Sequence, residues 1–508
     1  MGTQLVWFKR DLRVHDNEAL AHAAVLGPVL CVYIVEPSYW HCPDASQRQF
    51  DFLRECLRDL YRQLHALGVR LHVLTGEVPE VLERLHQALR FSHLHSHQET
   101  GNGMTYQRDL AVARWCGARG VPWQEHVQNG VVRRLPSRDI WSELWTQRMQ
   151  APQVPAPTLT AAPWPWPEEG WPNWQAWGLP PDTAAQRQIG GRAEACRTLH
   201  SFLHERSAQY RGGISSPLRA TNACSRLSPY LSWGCLSLRE VVQATENTMQ
   251  APQLDAWTRK GLSAFTSRLH WHCHFMQKLE SEPSIEMQNM HRGYDGLREG
   301  EFNEAHFERL RKGQTGWPLV DACVAMLEQT GWLNFRMRAM LVSVAAYPLW
   351  LHWQPVGHWL ARQFVDYEPG IHWSQMQMQS GTTGINTTRV YNPIKQAQDQ
   401  DPKGVFVRRW LPVLRQVPDT WLFEPWKMPP SVQAQCGVCV GRDWPMPVVD
   451  LQEATRSAKA RLHARRNTTP VRQAKQAIID KHASRKRPEG TRKRRPVPAP
   501  NAQTRLDF

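Results

Sequence analysis

Three stretches of this 508-residue chain carry residue types that could do chemistry. Residues 224–237, CSRLSPYLSWGCLS, set small hydroxyl side chains, an arginine and backbone amides ahead of a helical run. Such donors at a helix start attract phosphate, and the same pattern also serves as a plain helix cap. Residues 366–381, DYEPGIHWSQMQMQSG, open with two acids and a proline turn, alternate Met with Gln, and stop at glycine. That is either an ordinary buried segment or a pocket lining in which methionine replaces aromatic rings. Residues 6–20, VWFKRDLRVHDNEAL, place a basic cluster and an Asp directly after a β-rich run. Ligands of open α/β sheets sit at the carboxyl ends of strands, although charged residues after a strand are common. Cys436 and Cys439 form one CxxC with no second pair nearby, so no metal is expected there.

The elements that must position these residues follow from periodicity. The first ~130 residues alternate β-rich runs with amphipathic runs. The strand candidates are LVWF (5–8), VLCVYIV (29–35), RLHVL (70–74) and SHLHSH (92–97). Stretches such as SQRQFDFLRECLRDLYRQLHALG lie between them with apolar residues at helical spacing. This predicts βαβ units, a parallel doubly wound sheet and an α/β domain over residues 1–132. Residues 133–195 turn rich in Pro and Trp and read as a long connector lying on both domains. From 196 to 445 apolar faces recur at three- and four-residue spacing, which predicts an all-α domain. Residues 446–508 are basic and poor in large apolar residues, which predicts a largely disordered tail.

Composition narrows the class. Hydrophobic residues make up 41% of the chain and the formal charge is +15, so the chain folds and favours a polyanionic partner, with nucleic acid first and an anionic membrane surface second. The 24 Trp can stack on flat ligands, absorb light or carry electrons, or simply fill a core. Eleven scattered Cys and no targeting segment predict a reduced, cytoplasmic protein. The longest apolar stretch, MLVSVAAYPLWLHW, is too short to span a bilayer.

In order and spacing, WFKRDLRVHDN, SRLSPYLSWG, TGWPLVDA, GW followed by RxR, DYEP, RVYNP and RRWLP resemble the cryptochrome/photolyase family over roughly residues 1–450. The resemblance implies the same two-domain layout, with FAD held in the helical domain. It implies FAD contacts at Tyr210, Cys224, Ser225, Arg226, Leu227 and Ser228, with Cys224 standing where Thr is usual. Arg338 is expected to pair with Asp366 beside the flavin ring, with Tyr367 and Glu368 adjoining. His372 falls at the position nearest flavin N5, where it either titrates or is hydrogen-bonded in the core. Met376 takes the place of the Trp nearest the flavin, and Trp353 matches the middle Trp of the electron-hopping chain. Trp373 or Trp359 would offer another route. On the substrate side, Trp271 matches a lesion-stacking Trp, while Arg268, Phe335 and Met378 depart from the pattern of dimer repair. Arg336 and Gln396 belong to the DNA cleft. The resemblance also allows a second, antenna chromophore in the N-terminal domain.

The chain ends QTRLDF, which resembles the short peptides that bind the bacterial sliding clamp, with Leu506 and Phe508 entering an apolar pocket and Gln503 at its rim. The expected function is blue-light-driven repair of UV-damaged DNA by a monomeric, FAD-dependent lyase with no membrane partner. The alternatives are a cryptochrome-type photoreceptor and a DNA-binding accessory protein that holds FAD structurally.

Overall fold

The computed structural model describes residues 2–483 except 168, 169, 173 and 386–388. The peptide carrying Gln503, Leu506 and Phe508 lies outside the described residues. Five parallel strands, β1 (Gln4–Phe8), β2 (Val29–Val35), β3 (Leu71–Thr75), β4 (His93–His97) and β5 (Trp123–His126), form one sheet in the order β3-β2-β1-β4-β5. All residues of β1 and β2 are buried, as continuous apolar runs between two helical layers must be. β5 reads Trp-Gln-Glu-His; a short, polar edge strand carries no apolar period, and periodicity alone missed it. Helix α1 (Glu18–Leu26) starts where the Asn17 side chain accepts from the Leu20 N–H at 2.9 Å. Helix α2 (Gln47–Ala66) starts at a Ser46–Gln49 capping box and buries Phe50, Leu53, Leu57, Leu60 and Leu64 along one face.

The connector contains more structure than its composition suggests. Helix α3 (Trp141–Gln150) buries Trp141, Trp145 and Met149 at four-residue spacing. Trp164 stacks on His72 at 3.8 Å between centroids. Arg48 of α2 holds Asp182 at 2.6 Å and reaches the carbonyls of Leu327 and Gln363 in the helical domain.

The charged motif after β1 joins the two domains. Arg13 donates to the Gly234 carbonyl at 3.0 Å, and the Leu12 amide donates to the Trp233 carbonyl at 3.2 Å. Asp16 accepts from Ser237 Oγ at 2.5 Å and pairs with Arg239 at 3.2 Å. Gly234 has φ +65°, and a Cβ there would lie 2.0 Å from the Arg10 carbonyl oxygen, so only glycine allows this approach. Buried charges need partners, and here the SWGCLS segment supplies them.

The helical domain is built on α4 (Pro217–Ala223), α5 (Ala256–Ser281), α6 (Phe335–Ala346), α7 (Trp353–Gln363), α8 (Pro369–Ser380) and α9 (Pro393–Gln400). α8 packs on both α5 and α6. It opens with Pro369 at its first turn and closes at Gly381, φ +75°. The expectation of disorder from residue 446 is corrected. Helices α10 (Leu451–Arg466) and α11 (Thr469–His482) bury Ala458, Leu462 and Val471 against Tyr294 and Tyr347, and His482 meets Glu282 at 2.7 Å. Their sparse apolar faces are long enough only because those two tyrosines complete them. Among the described residues no helix is long and apolar enough to cross a membrane.

Candidate functional site

Residues 224–227 form the turn between α4 and a short helix, Ser228–Ser232. Arg226 takes φ +63°, a strained choice for a non-glycine residue, and it is held from both sides. Its guanidinium lies 3.9 Å from the Trp332 ring centroid, its Nε donates to Gln188 Oε1 at 3.1 Å, and its carbonyl accepts from Gln188 Nε2 at 2.9 Å. Arg206 braces the turn by donating to the carbonyls of Cys224 at 2.5 Å and Ser225 at 3.2 Å. Sequence reasoning missed Arg206, Gln188 and Trp332, because they lie 18 or more residues from the loop and carry no motif.

Arg226, Arg206, Arg338 and Arg268 all act on Cys224. Burial pushes the Cys224 thiol up to about 12, against the downward pull of those four guanidiniums. Arg268 is half-buried on α5, and its charge acts on the buried Tyr210 hydroxyl. Ser225 and Ser228 stand half-buried on the same loop, while Leu227 is core. A cluster of cations with hydroxyls beside it is an anion site.

Arg338 on α6 and Asp366 are brought together. Arg338 Nη2 donates to both carboxylate oxygens, at 2.8 and 3.0 Å, its Nε donates to the Leu333 carbonyl at 2.7 Å, and its guanidinium lies 3.9 Å from the Phe364 centroid. The next two residues face the other domain. Tyr367 Oη donates to Asp44 at 2.6 Å, and Glu368 lies 4.0 Å from Arg10. Burial raises the Glu368 carboxyl to about 7 in spite of Arg10, and Glu368 Oε1 has no hydrogen-bond partner.

His372 Nε2–H donates to the Gly357 carbonyl at 2.9 Å, and burial holds the ring down at about 3. It is the hydrogen-bonded, neutral histidine of the two alternatives and does not titrate near neutral pH. The opening question about QMQMQ resolves by helix geometry. Met376 is core, Met378 is half-buried, and Gln377 between them is fully buried. Gln377 latches a loop by donating to the carbonyls of Ile285 and Gln288 at 2.7 and 2.8 Å and accepting from the Met290 amide at 2.5 Å. Next to Met376, the Trp373 ring lies 4.9 Å from His372 and 5.8 Å from Trp353. Trp353 is buried and donates to Asn289 at 2.8 Å; Trp359 packs instead on Phe307 at 6.3 Å.

On the expected substrate side, Trp271 lies half-buried on α5, one turn from Arg268, with Phe275 at 5.6 Å. Phe335 is 52% exposed, and its neighbour Arg336 reaches Gln396 of α9 at 3.4 Å while keeping a buried, unpartnered Nε.

The comparisons agree with this geometry. Residues 4–136 match the profile described as DNA photolyase, and residues 265–464 match the FAD binding domain of DNA photolyase. The chain is 30% identical over 489 residues to a cryptochrome DASH of Gloeobacter violaceus, covering 90% of this chain and 95% of that one. It is 28% identical over 452 residues to a deoxyribodipyrimidine photo-lyase of Vibrio cholerae, covering 84% and 93%. A class III photolyase from Agrobacterium tumefaciens superposes with a TM-score of 0.81 at 25% identity, over 92% of this chain and 98% of that one. With the sheet, the helical domain and these matches in place, the chain belongs to the FAD-binding DNA photolyase and cryptochrome family.

Proposed function

We propose that this protein is a light-driven lyase that repairs UV-induced pyrimidine lesions in DNA. The observation that carries the reading is the Cys224–Ser228 turn, which carries Arg226 and is braced by Arg206, in the same domain as the Arg338–Asp366 pair and half-buried Trp271 on α5. The donor set fits FAD. Arg226, Ser225 and Ser228 would hold the diphosphate with Tyr210 upstream, and the Arg338–Asp366 pair and neutral His372 would border the ring system. Bound, reduced FAD excited by blue light would supply one electron to the lesion and take it back.

The chain's own residues do the rest. A flipped lesion base stacks on Trp271 and against Met378, whose thioether is soft enough to follow a distorted base. Phe335 lines the mouth, and Arg336 and Gln396 hold the backbone phosphates. His372 donates its one N–H to Gly357, so it can only accept at Nδ1 and cannot deliver a proton. The cleft at the carboxyl ends of β1 and β2, lined by Trp7, Arg10, Tyr39, Trp40, Arg108 and Trp233, is where we place a light-harvesting pigment. The terminal QTRLDF would recruit this monomeric, cytoplasmic enzyme to the sliding clamp. A cryptochrome-type photoreceptor is the second reading, favoured by the unbroken line His372–Trp373–Trp353.

The test uses flavin-loaded, chemically reduced protein and oligonucleotides carrying cyclobutane dimers or 6-4 photoproducts. Light-dependent loss of one lesion supports repair. Loss of neither, with flavin present by absorbance, refutes repair and leaves the photoreceptor.

A further inference from the structure

The sheet face covered by α1 carries histidines that the light chemistry does not use. β4 reads His-Leu-His-Ser-His, and the two-residue period of a strand puts His93, His95 and His97 on one face. β5 pairs in register so that His126 lies opposite His97. α1 lays His22 onto the same face, with its ring 5.5 Å from His95 and 5.3 Å from His126. One ring nitrogen from each of His22, His95 and His126 falls within 4.8 Å of the others.

The state of these rings suits ligation. His95 is fully buried, and its Nε2–H donates to Gln4 Oε1 at 3.0 Å, which fixes the tautomer and leaves the Nδ1 lone pair free. That Nδ1 has no hydrogen-bond partner, and neither has the buried Nε2 of His126. A buried polar atom without a partner destabilises a fold unless something occupies it. His22 and His126 are less buried than His95 and lie at the β5 edge of the sheet, which leaves a route from solvent.

We propose that His22, His95 and His126 form a zinc-type divalent cation site, with three imidazole nitrogens as ligands and a fourth position open to an external ligand. Three neutral nitrogen donors with no carboxylate among them select Zn²⁺ and its late first-row relatives over Ca²⁺ or Mg²⁺. The ion would tie α1 to β4 and to the edge strand β5. The site stands apart from the CxxC at Cys436 and Cys439.

The test takes the full chain, stripped with a chelator, and titrates it with Zn²⁺ by calorimetry and with Co²⁺ by visible absorbance. The expected result is one ion per chain and a raised unfolding temperature. Both effects disappear in His22→Gln and His126→Gln, which sit at the solvent edge and leave the core intact, and both survive in Cys436→Ser. Gln4→Leu, which removes the acceptor orienting His95, weakens binding by ~10–100-fold. No binding by the wild-type chain overturns the proposal, as does binding that persists in His126→Gln or disappears in Cys436→Ser.

Discussion

Glu368→Gln tests where the DYEP carboxylate points and what its burial costs. Glu368 is 7% exposed, 4.0 Å from Arg10, with one oxygen unpartnered. Burial raises its carboxyl from an ordinary 4.5 to about 7. The folded state therefore holds its proton where the unfolded chain has lost it. Stability from this group is fully present below pH 4.5, falls as pH rises toward about 7, and is gone above that. A gap of that width at ~1.4 kcal/mol per unit amounts to about 3 kcal/mol. Gln keeps the shape and removes the titration, and Arg10 retains Glu99 at 3.5 Å. The two proteins are thus expected to match in stability near pH 4, and the variant is expected to gain on the wild type by about 3 kcal/mol by pH 8. Unfolding midpoints of both, measured in parallel from pH 4 to pH 8, read the difference. A difference that stays flat across that range, or that grows toward acid, refutes the assignment of Glu368 to a dry interface beside Arg10.

Three further outcomes follow from the site. Cys224→Thr places a hydroxyl on the turn beside Arg226; one charge-assisted hydrogen bond to a phosphate is worth ~1.5–3 kcal/mol, so FAD affinity measured by flavin fluorescence should rise about tenfold or more. Trp373→Phe interrupts the line between His372 and Trp353 and should slow blue-light photoreduction of the flavin in the absence of DNA, whereas Met376→Leu should leave that rate unchanged; equal rates in both would rule the line out. Deleting residues 451–508 exposes the surface covered by Leu462 and Val471, at a cost of ~3–6 kcal/mol in unfolding experiments.

Much of the architecture was legible because it rests on local patterns. The buried runs of β1 and β2 and the apolar stripe of α2 are strong periodic signals, and the ordered motifs from WFKRDLRVHDN to RRWLP pointed to the family. The family resemblance implied a pair between Asp366 and Arg338, and folding brings the two into contact. Other outcomes were set by residues far away in the chain. In the basic motif after β1, Arg13 and Asp16 turn out to join the domains, because Gly234 and Ser237, more than 200 residues later, take their hydrogen bonds. The polar edge strand β5 and the basic helices α10 and α11 lack apolar stripes of their own and exist because neighbours complete them. The histidine cluster shows the division most plainly. The alternation in β4 puts three imidazoles on one face by strand geometry alone. Only the strand order β1-β4-β5 and the crossing of α1 bring His126 and His22 beside His95, because parallel pairing joins segments that share no local signal.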